Sequence, residues 1–144
     1  TEVHVAQVIR PSVTLSPDGE PVVAYGVFDY AVTRYQVWTV RRSTTGWQTP
    51  ELILDGPNRL TWPRVAVDSW DREHIVYYDE NGNMTRYIAR GAGGWTAPLA
   101  VAPVGWNPVI VVTGDGIVHL AYARGYGTWG TATSDADIEY AVGV

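Results

Sequence analysis

Aromatic and polar side chains that could bind a sugar are concentrated in a few stretches of this chain. Its aromatic residues comprise seven Trp and nine Tyr but only one Phe. Trp and Tyr join a large apolar ring to a polar group, so they suit platforms on which a ligand stacks. Nearby acidic, amide and guanidinium groups could hydrogen-bond the hydroxyl groups of a sugar. The candidate ligand-binding residues are Trp62, Trp106, Asp79, Glu80, Asn81, Arg124, Tyr126 and Trp129.

The sequence patterns that could indicate catalysis or metal binding are weaker than those for sugar binding. The absence of Cys excludes disulfides, thiol chemistry and cysteine metal sites. His4, His74 and His119 are far apart in the chain, and the last two occupy one position of a repeat, which favours a hydrogen-bonding or packing role. Acid pairs such as Asp135 and Asp137 are typical of solvated loops. The sequence therefore predicts no catalytic residue, no metal site and no cofactor.

An internal repeat organises the chain. Residues 11–25, 63–77 and 108–122 align without gaps, each beginning with Pro and ending with Tyr. A turn containing Asp, with Gly in two of the copies, lies midway through each, between short β-branched runs. Such segments predict β-hairpins, because Asp and Gly supply the positive φ that tight turns need. The spacing of roughly 45–50 residues is typical of a propeller blade.

A second hairpin completes each of the first two copies. It passes through Gly46-Trp47 in the first copy and Gly94-Trp95 in the second. Four strands per copy predict an all-β fold, a β-propeller with four-stranded blades. The predicted blades span residues 10–61, 62–106 and 107–144, the last one incomplete.

The incomplete third copy lacks a fourth strand, and residues 1–9 have the pattern of one. Propellers generally have ~4–8 blades, so three do not close a ring. Two chains related by a two-fold axis would give six blades, each N-terminal strand completing the third blade of the partner. The sequence predicts this homodimer, formed through strand 1–9 and the blade edges. The alternative is that the chain is a fragment of a longer propeller.

The motif Pro-x-Val-x-Val-Asp-x-x-Gly-x-x-His-Val-x-Tyr, followed by Gly-Trp, resembles the repeats of bacterial sialidase-like (Asp-box) propellers. Residues 62–95 carry the best copy. The turns at 43–47 and 90–95 look like degenerate Asp-boxes that lack the Asp. The resemblance implies a propeller fold. For a catalytic member it would imply an arginine cluster, here Arg10, Arg64 and Arg124, with a Tyr nucleophile and an acidic Asp.

The predicted propeller brings the candidate residues together, because its fourth-to-first and second-to-third strand loops share one face. Trp62 and Trp106 would stand on this rim, although they could instead pack over the seam between blades. We predict a non-enzymatic, lectin-like carbohydrate-binding module. The alternative is a protein-interaction or structural scaffold that uses the same rim for a peptide. A fragment of a sialidase-like glycoside hydrolase is less favoured.

Charge and hydropathy exclude other partners. The net charge is −5 and no basic patch is evident beyond Arg41-Arg42, so we predict no nucleic-acid binding. No apolar stretch approaches ~18 residues, which predicts no membrane insertion. The acidic, cysteine-free composition and the analogy with secreted propellers favour an extracellular location.

Overall fold

The computed structural model describes residues 8–124 and 137–143, and this part of the chain is built from β-strands alone. The strands form three antiparallel sheets, which confirms the all-β prediction. No helix in the described residues has the length and apolar character to cross a membrane.

Each sheet corresponds to one copy of the repeat. The first contains β1 (Val8–Leu15), β2 (Pro21–Asp29), β3 (Arg34–Ser43), β4 (Gly46–Trp47) and β5 (Glu51–Gly56). The second contains β6 (Leu60–Val67), β7 (Glu73–Asp79), β8 (Met84–Gly91), β9 (Gly94–Trp95) and β10 (Leu99–Pro103). The third contains β11 (Gly105–Val112), β12 (Val118–Arg124) and β13 (Asp137–Val142). The first two sheets each have four main strands in chain order. The two-residue strands β4 and β9 fold back and pair with the ends of β3 and β8.

A β-bulge interrupts the first strand of every sheet at the repeated proline. In the second sheet Thr61 pairs with Tyr78 and Arg64 with Val76, so Trp62 and Pro63 both oppose Tyr77. The other sheets have the same irregularity at the same place. Proline has no N–H for a ladder, and a bulge is where a strand tolerates it. The repeated Pro and Tyr are therefore the two sides of one bulge.

The bulge corrects the predicted position of the N-terminal strand. Residues 1–9 were expected to lie in another blade, but Val8 pairs with Val27 and Ile9 with Gly26 inside the first sheet. The strand continues through the proline because the bulge removes that residue from the ladder. For the same reason β6 and β11 cross the predicted blade boundaries after residues 61 and 106. Residues 1–7 lie outside the described part of the chain.

The sheets pack face to face in chain order. One apolar cluster joins the first sheet, through Val22, Ala24 and Val37, to the second, including Ile75 and Ile88. A second cluster joins the opposite face of the second sheet to the third. Its buried members are Ala66, Val76, Tyr87, Ile110, Val118 and Leu120. Both faces of the middle sheet are thus buried by neighbours.

Candidate functional site

The structure brings Trp62 and Trp106 together at one end of the sheets. Their ring centroids are 6.3 Å apart with the planes inclined by 49°. Tyr78 also contacts Trp62, at 5.8 Å between ring centroids. We call this group, with the polar residues around it, the aromatic rim; its members are Arg10, Trp62, Tyr78, Asn83, Trp106 and Asn107.

Trp62 forms the interior of the aromatic rim. It is only 6% exposed, and the guanidinium carbon of Arg10 lies 3.9 Å from the centre of its ring. Its φ is 49°, in the left-handed region that a bulky residue adopts only when its surroundings fix it. The predicted alternative, packing over the seam between sheets, therefore describes Trp62 better than an open stacking platform does.

Trp106 is half-buried. The bulge makes Asn107, and not Trp106, the counterpart of Trp62, because each directly precedes the repeated proline. Asn107 is exposed and has a φ of 50°. A half-buried Trp and an exposed Asn are thus consecutive residues at the start of the third sheet.

Tyr78 and Asn83 supply fixed polar groups beside the indoles. The Tyr78 hydroxyl donates to Asn83 Oδ1 at 2.7 Å, and the backbone N–H of Val104 donates to the Asn83 carbonyl at 2.8 Å. Burial raises the pKa of Tyr78, so its hydroxyl stays protonated at neutral pH. These bonds anchor the turn between β7 and β8 to the strand that precedes Trp106.

Asp79, a predicted ligand residue, is buried in this turn. It is 2% exposed, and its carboxylate accepts hydrogen bonds from Asn58 Nδ2 at 3.3 Å, the Gly82 N–H at 3.0 Å and Arg86 Nε at 2.9 Å. Three donors satisfy the buried charge. Asp79 holds the turn and offers no exposed oxygen to a ligand.

Glu80 and Asn81 connect the turn to the segment before β6. Glu80 accepts a hydrogen bond from Thr61 Oγ1 at 3.1 Å and forms an ion pair with Arg59 at 3.2 Å. Asn81 is exposed, and its Oδ1 accepts from the Arg59 N–H at 2.7 Å. Both lie near the aromatic rim, but their polar groups already bind the chain itself.

Arg124 is separated from Trp106 by the strand register. It pairs with Gly105, whereas Trp106 pairs with Ala123, and neighbouring residues of a strand point to opposite faces. Its guanidinium forms an ion pair with Glu139 at 2.6 Å. The predicted rim residues Tyr126 and Trp129 lie outside the described part of the chain.

The arginines of the catalytic interpretation have different partners. Arg10 lies over Trp62, Arg64 Nη1 donates to the Pro63 carbonyl at 3.5 Å, and Arg124 pairs with Glu139. No shared anion-binding arrangement of these three groups follows from those contacts.

The two repeated histidines have the predicted hydrogen-bonding role. His74 Nδ1 bonds the Tyr87 hydroxyl at 2.7 Å and its Nε2 bonds Asp68 Oδ2 at 3.1 Å, all in the interior. His119 makes the corresponding bond to Tyr140 in the third sheet. Within residues 8–124 and 137–143, no cluster of three or more His, Cys, Asp or Glu could hold a metal ion.

Sequence reasoning missed Tyr78, Asn83 and Asn107 as members of the aromatic rim. Asn107 had a signal, because aligning the copies on their prolines places Arg10, Trp62 and Asn107 at one position. Tyr78 and Asn83 had no such signal in the sequence, because their contacts join residues of different strands and turns.

Comparison with known proteins gives distant structural similarity alone. No protein-family model matches the chain, and no curated protein matches it. Among solved structures, a fucose lectin from Kordia zhangzhouensis in complex with methyl-fucoside has a TM-score of 0.44 and 14% sequence identity. The match covers 79% of this chain and 82% of that one. The function proposed below rests on the chain's own residues.

Proposed function

We propose that this chain is a non-enzymatic carbohydrate-binding module whose ligand stacks on Trp106 at the aromatic rim. The observation that carries the proposal is the half-buried Trp106, whose ring centroid lies 6.3 Å from that of the buried Trp62, with the exposed Asn107 next to it in the chain. The C–H face of a pyranose packs on such a ring, and amide or guanidinium groups hydrogen-bond its hydroxyls. The ring is positioned before the ligand arrives, which limits the entropy lost on binding.

The support comes from how each side chain is held. Trp62 is fixed by Arg10 and by the bulge, so it forms a rigid wall behind Trp106. Asn107 is exposed next to the platform, while Asn83 is fixed by Tyr78. Two amides can both donate to and accept from hydroxyl groups, which is what a neutral sugar requires.

Titration with sugars, monitored by tryptophan fluorescence and calorimetry, tests this function. The panel comprises glucose, galactose, mannose, N-acetylglucosamine and methyl-fucoside, the last being the ligand of the lectin described above. We expect a dissociation constant of about 1–10 mM for at least one of them, equivalent to about 3–4 kcal/mol. Trp106→Ala should weaken binding at least ~10-fold, a loss of about 1.4 kcal/mol.

Trp47→Ala is the matched control, because Trp47 is 40% exposed in a turn at the other end of the first sheet. It should bind as the unmodified protein does. Equal binding by Trp106→Ala would move the ligand away from the aromatic rim. Failure of every sugar would instead favour the interaction scaffold.

We further propose that the three sheets are blades of a sialidase-like propeller. Support comes from the repeated bulge, from the Gly-Trp returns β4 and β9, and from the packing of the middle sheet between two neighbours. Successive sheets pack face to face, and the first strand of each lies beside the first strand of the next. A propeller repeats this arrangement around its axis.

A second copy of the chain would complete the ring. Val111 occupies the position in the third sheet that Ala66 has in the second, yet Ala66 is 7% exposed and Val111 is 62% exposed. Likewise Tyr140 is 63% exposed, while its counterpart Tyr87 is 9% exposed. The third sheet thus presents, uncovered, the face that the second sheet buries.

The first sheet likewise exposes an apolar face that its counterpart in the second sheet buries. Val13 is 67% exposed, whereas its counterpart Val65 is 5% exposed against the first sheet. Contiguous apolar faces of this kind mark interaction surfaces. We propose that the third sheet of one protomer packs on the first sheet of its partner.

Light scattering after size-exclusion chromatography tests the assembly. We expect twice the 15.8 kDa of one chain. Val111→Asp should give the mass of one chain, because it places a charge in the apolar seam. Val32→Asp, at a turn residue that is 58% exposed, is the matched control and should stay dimeric. A folded, unmodified protein with the mass of one chain would contradict the dimer.

A further inference from the structure

A polar cleft lies between the first and second sheets, at the end opposite to the aromatic rim. It encloses about 320 Å³ and opens to solvent. Glu73, the first residue of β7, lies at the base of the cleft. Asp79, the last residue of β7, lies at the opposite end of the strand, in the turn beside the aromatic rim. The charged and amide groups that line the cleft are Arg41, Gln48, Glu51, Asp71, Glu73 and Arg90.

Salt bridges between the sheets fix the walls of this cleft. Glu73 is fully buried and accepts from Arg41 Nε and, at 3.3 Å, from Arg90 Nη2. Arg41 Nη1 also donates to both carboxylate oxygens of Asp71, at 3.0 and 2.8 Å, and Nη2 donates to the Asp71 carbonyl at 3.1 Å. Acceptors on Nε, Nη1 and Nη2 fix the plane of the Arg41 guanidinium as well as its position. The groups at the base are therefore rigid.

The outer wall is equally constrained. Arg90 forms an ion pair with Glu51, whose other oxygen accepts from Trp95 Nε1 at 3.1 Å. The guanidinium carbon of Arg90 lies 4.6 Å from the centre of the Trp95 ring. The hydrogen bond from Arg90 lowers the pKa of Glu51, so this carboxylate stays ionised at neutral pH.

The chemistry of the lining selects a class of ligand. Two guanidinium groups and three carboxylates leave a formal charge of −1, so neither a strong anion nor a strong cation is favoured. Each carboxylate oxygen can accept more than one hydrogen bond, and Gln48 adds an amide to the exposed side. Fixed acceptors beside fixed donors suit hydroxyl groups. The volume lies at the lower end of the ~300–1,000 Å³ typical of small-molecule sites.

We infer that this cleft is a second ligand site, which binds a neutral polyhydroxylated molecule the size of a monosaccharide. The site is made only of residues from the first two sheets, so it depends neither on the aromatic rim nor on the partner protomer. The third sheet cannot repeat it at its own seam, because Ala89 and Val118 occupy the positions of Arg41 and Glu73.

The test separates this site from the aromatic rim. Calorimetric titration with glucose, galactose, mannose, N-acetylglucosamine and methyl-fucoside is carried out on the Trp106→Ala protein, in which the rim is disabled. We expect one of these sugars still to bind with a dissociation constant of about 1–10 mM. Thr49→Phe, which fills the cleft from an exposed position, should weaken that binding at least ~10-fold.

Thr44→Phe is the matched control, since Thr44 is an exposed turn residue that does not line the cleft. It should leave binding unchanged. Absence of binding to the Trp106→Ala protein by all five sugars overturns the second site, while the rim is judged by a sugar that Trp106→Ala binds at least ~10-fold more weakly than the unmodified protein does and that Thr49→Phe binds unchanged. Equal binding by Thr49→Phe and Thr44→Phe also overturns it.

Discussion

Asp68 gives the sharpest prediction of how stability depends on pH. Its side chain is fully buried in the turn between β6 and β7. Burial opposes its ionisation. Hydrogen bonds from the Arg72 N–H, the His74 ring, the Arg72 side chain and the Trp70 N–H outweigh burial and lower its pKa from 3.8 to about 2. Since folding depresses the pKa, ionised Asp68 stabilises the folded state above pH 3.8.

The size of the effect follows from linkage. A difference of nearly two pKa units between the unfolded and folded states corresponds to about 2 kcal/mol of unfolding free energy at neutral pH. This stabilisation falls to roughly half at pH 3 and is nearly lost at pH 2, as the folded-state carboxylate becomes protonated. Asp68→Asn should therefore destabilise the protein by about 2 kcal/mol at pH 7 and far less at pH 2.

Urea unfolding curves at pH 7, 3 and 2, followed by tryptophan fluorescence, measure this difference. Asp18→Asn is the matched control, because Asp18 is exposed in the corresponding turn of the first sheet and should show little change at any pH. A destabilisation by Asp68→Asn that is the same at pH 7 and pH 2 would refute the ionic account and leave only a packing effect.

Two further substitutions test the packing between sheets. Leu120→Ala should destabilise the protein by about 2–5 kcal/mol in urea unfolding, because Leu120 is 1% exposed between the second and third sheets. Gly105→Ala should lower the melting temperature, because a Cβ there would lie 2.7 Å from the Tyr122 ring and 2.8 Å from the Ala102 Cβ. Gly114→Ala meets nothing within 4 Å and should melt close to the unmodified protein; equal losses would contradict the steric argument.

The hairpins were predictable because each copy carries its own turn chemistry. Gly19 and Gly116 have positive φ, and each N–H donates to the carbonyl three residues earlier at 2.8 Å. The second copy has Asp71 at this point, with a φ of 63° and the same type of bond at 3.0 Å. Aspartate tolerates this conformation better than most residues, so the Asp-containing pattern was sufficient.

The extended first hairpin was not predictable from local signals. Gly26 and Asp29 are residues typical of turns, so local propensity alone predicts an enlarged loop at residues 26–33. In the structure β2 continues to Asp29, which pairs with Arg34, and the turn itself has the same span as that between β7 and β8. Ladder pairing with β3 overrides the turn propensity of these residues.

The candidate site was predicted only in part, because burial depends on contacts distant in sequence. The repeat placed Trp62 and Trp106 at one end of the sheets, and they meet there. Asp79 was chosen as an acidic loop residue, yet Asn58 and Arg86 enclose it from other segments. No pattern around Asp79 distinguishes a ligand-binding carboxylate from one that holds a turn.

The bulge before each proline has a consequence for how this fold can diversify. Arg10, Trp62 and Asn107 share one backbone geometry, although their side chains differ in charge, size and shape. The ring of the following proline and the facing tyrosine define the bend, so the identity of the preceding side chain is not what creates it. Each sheet thus carries one position at its first strand whose side chain differs from copy to copy, buried at Trp62 and exposed at Arg10 and Asn107, while the ladder on either side of it keeps the same register.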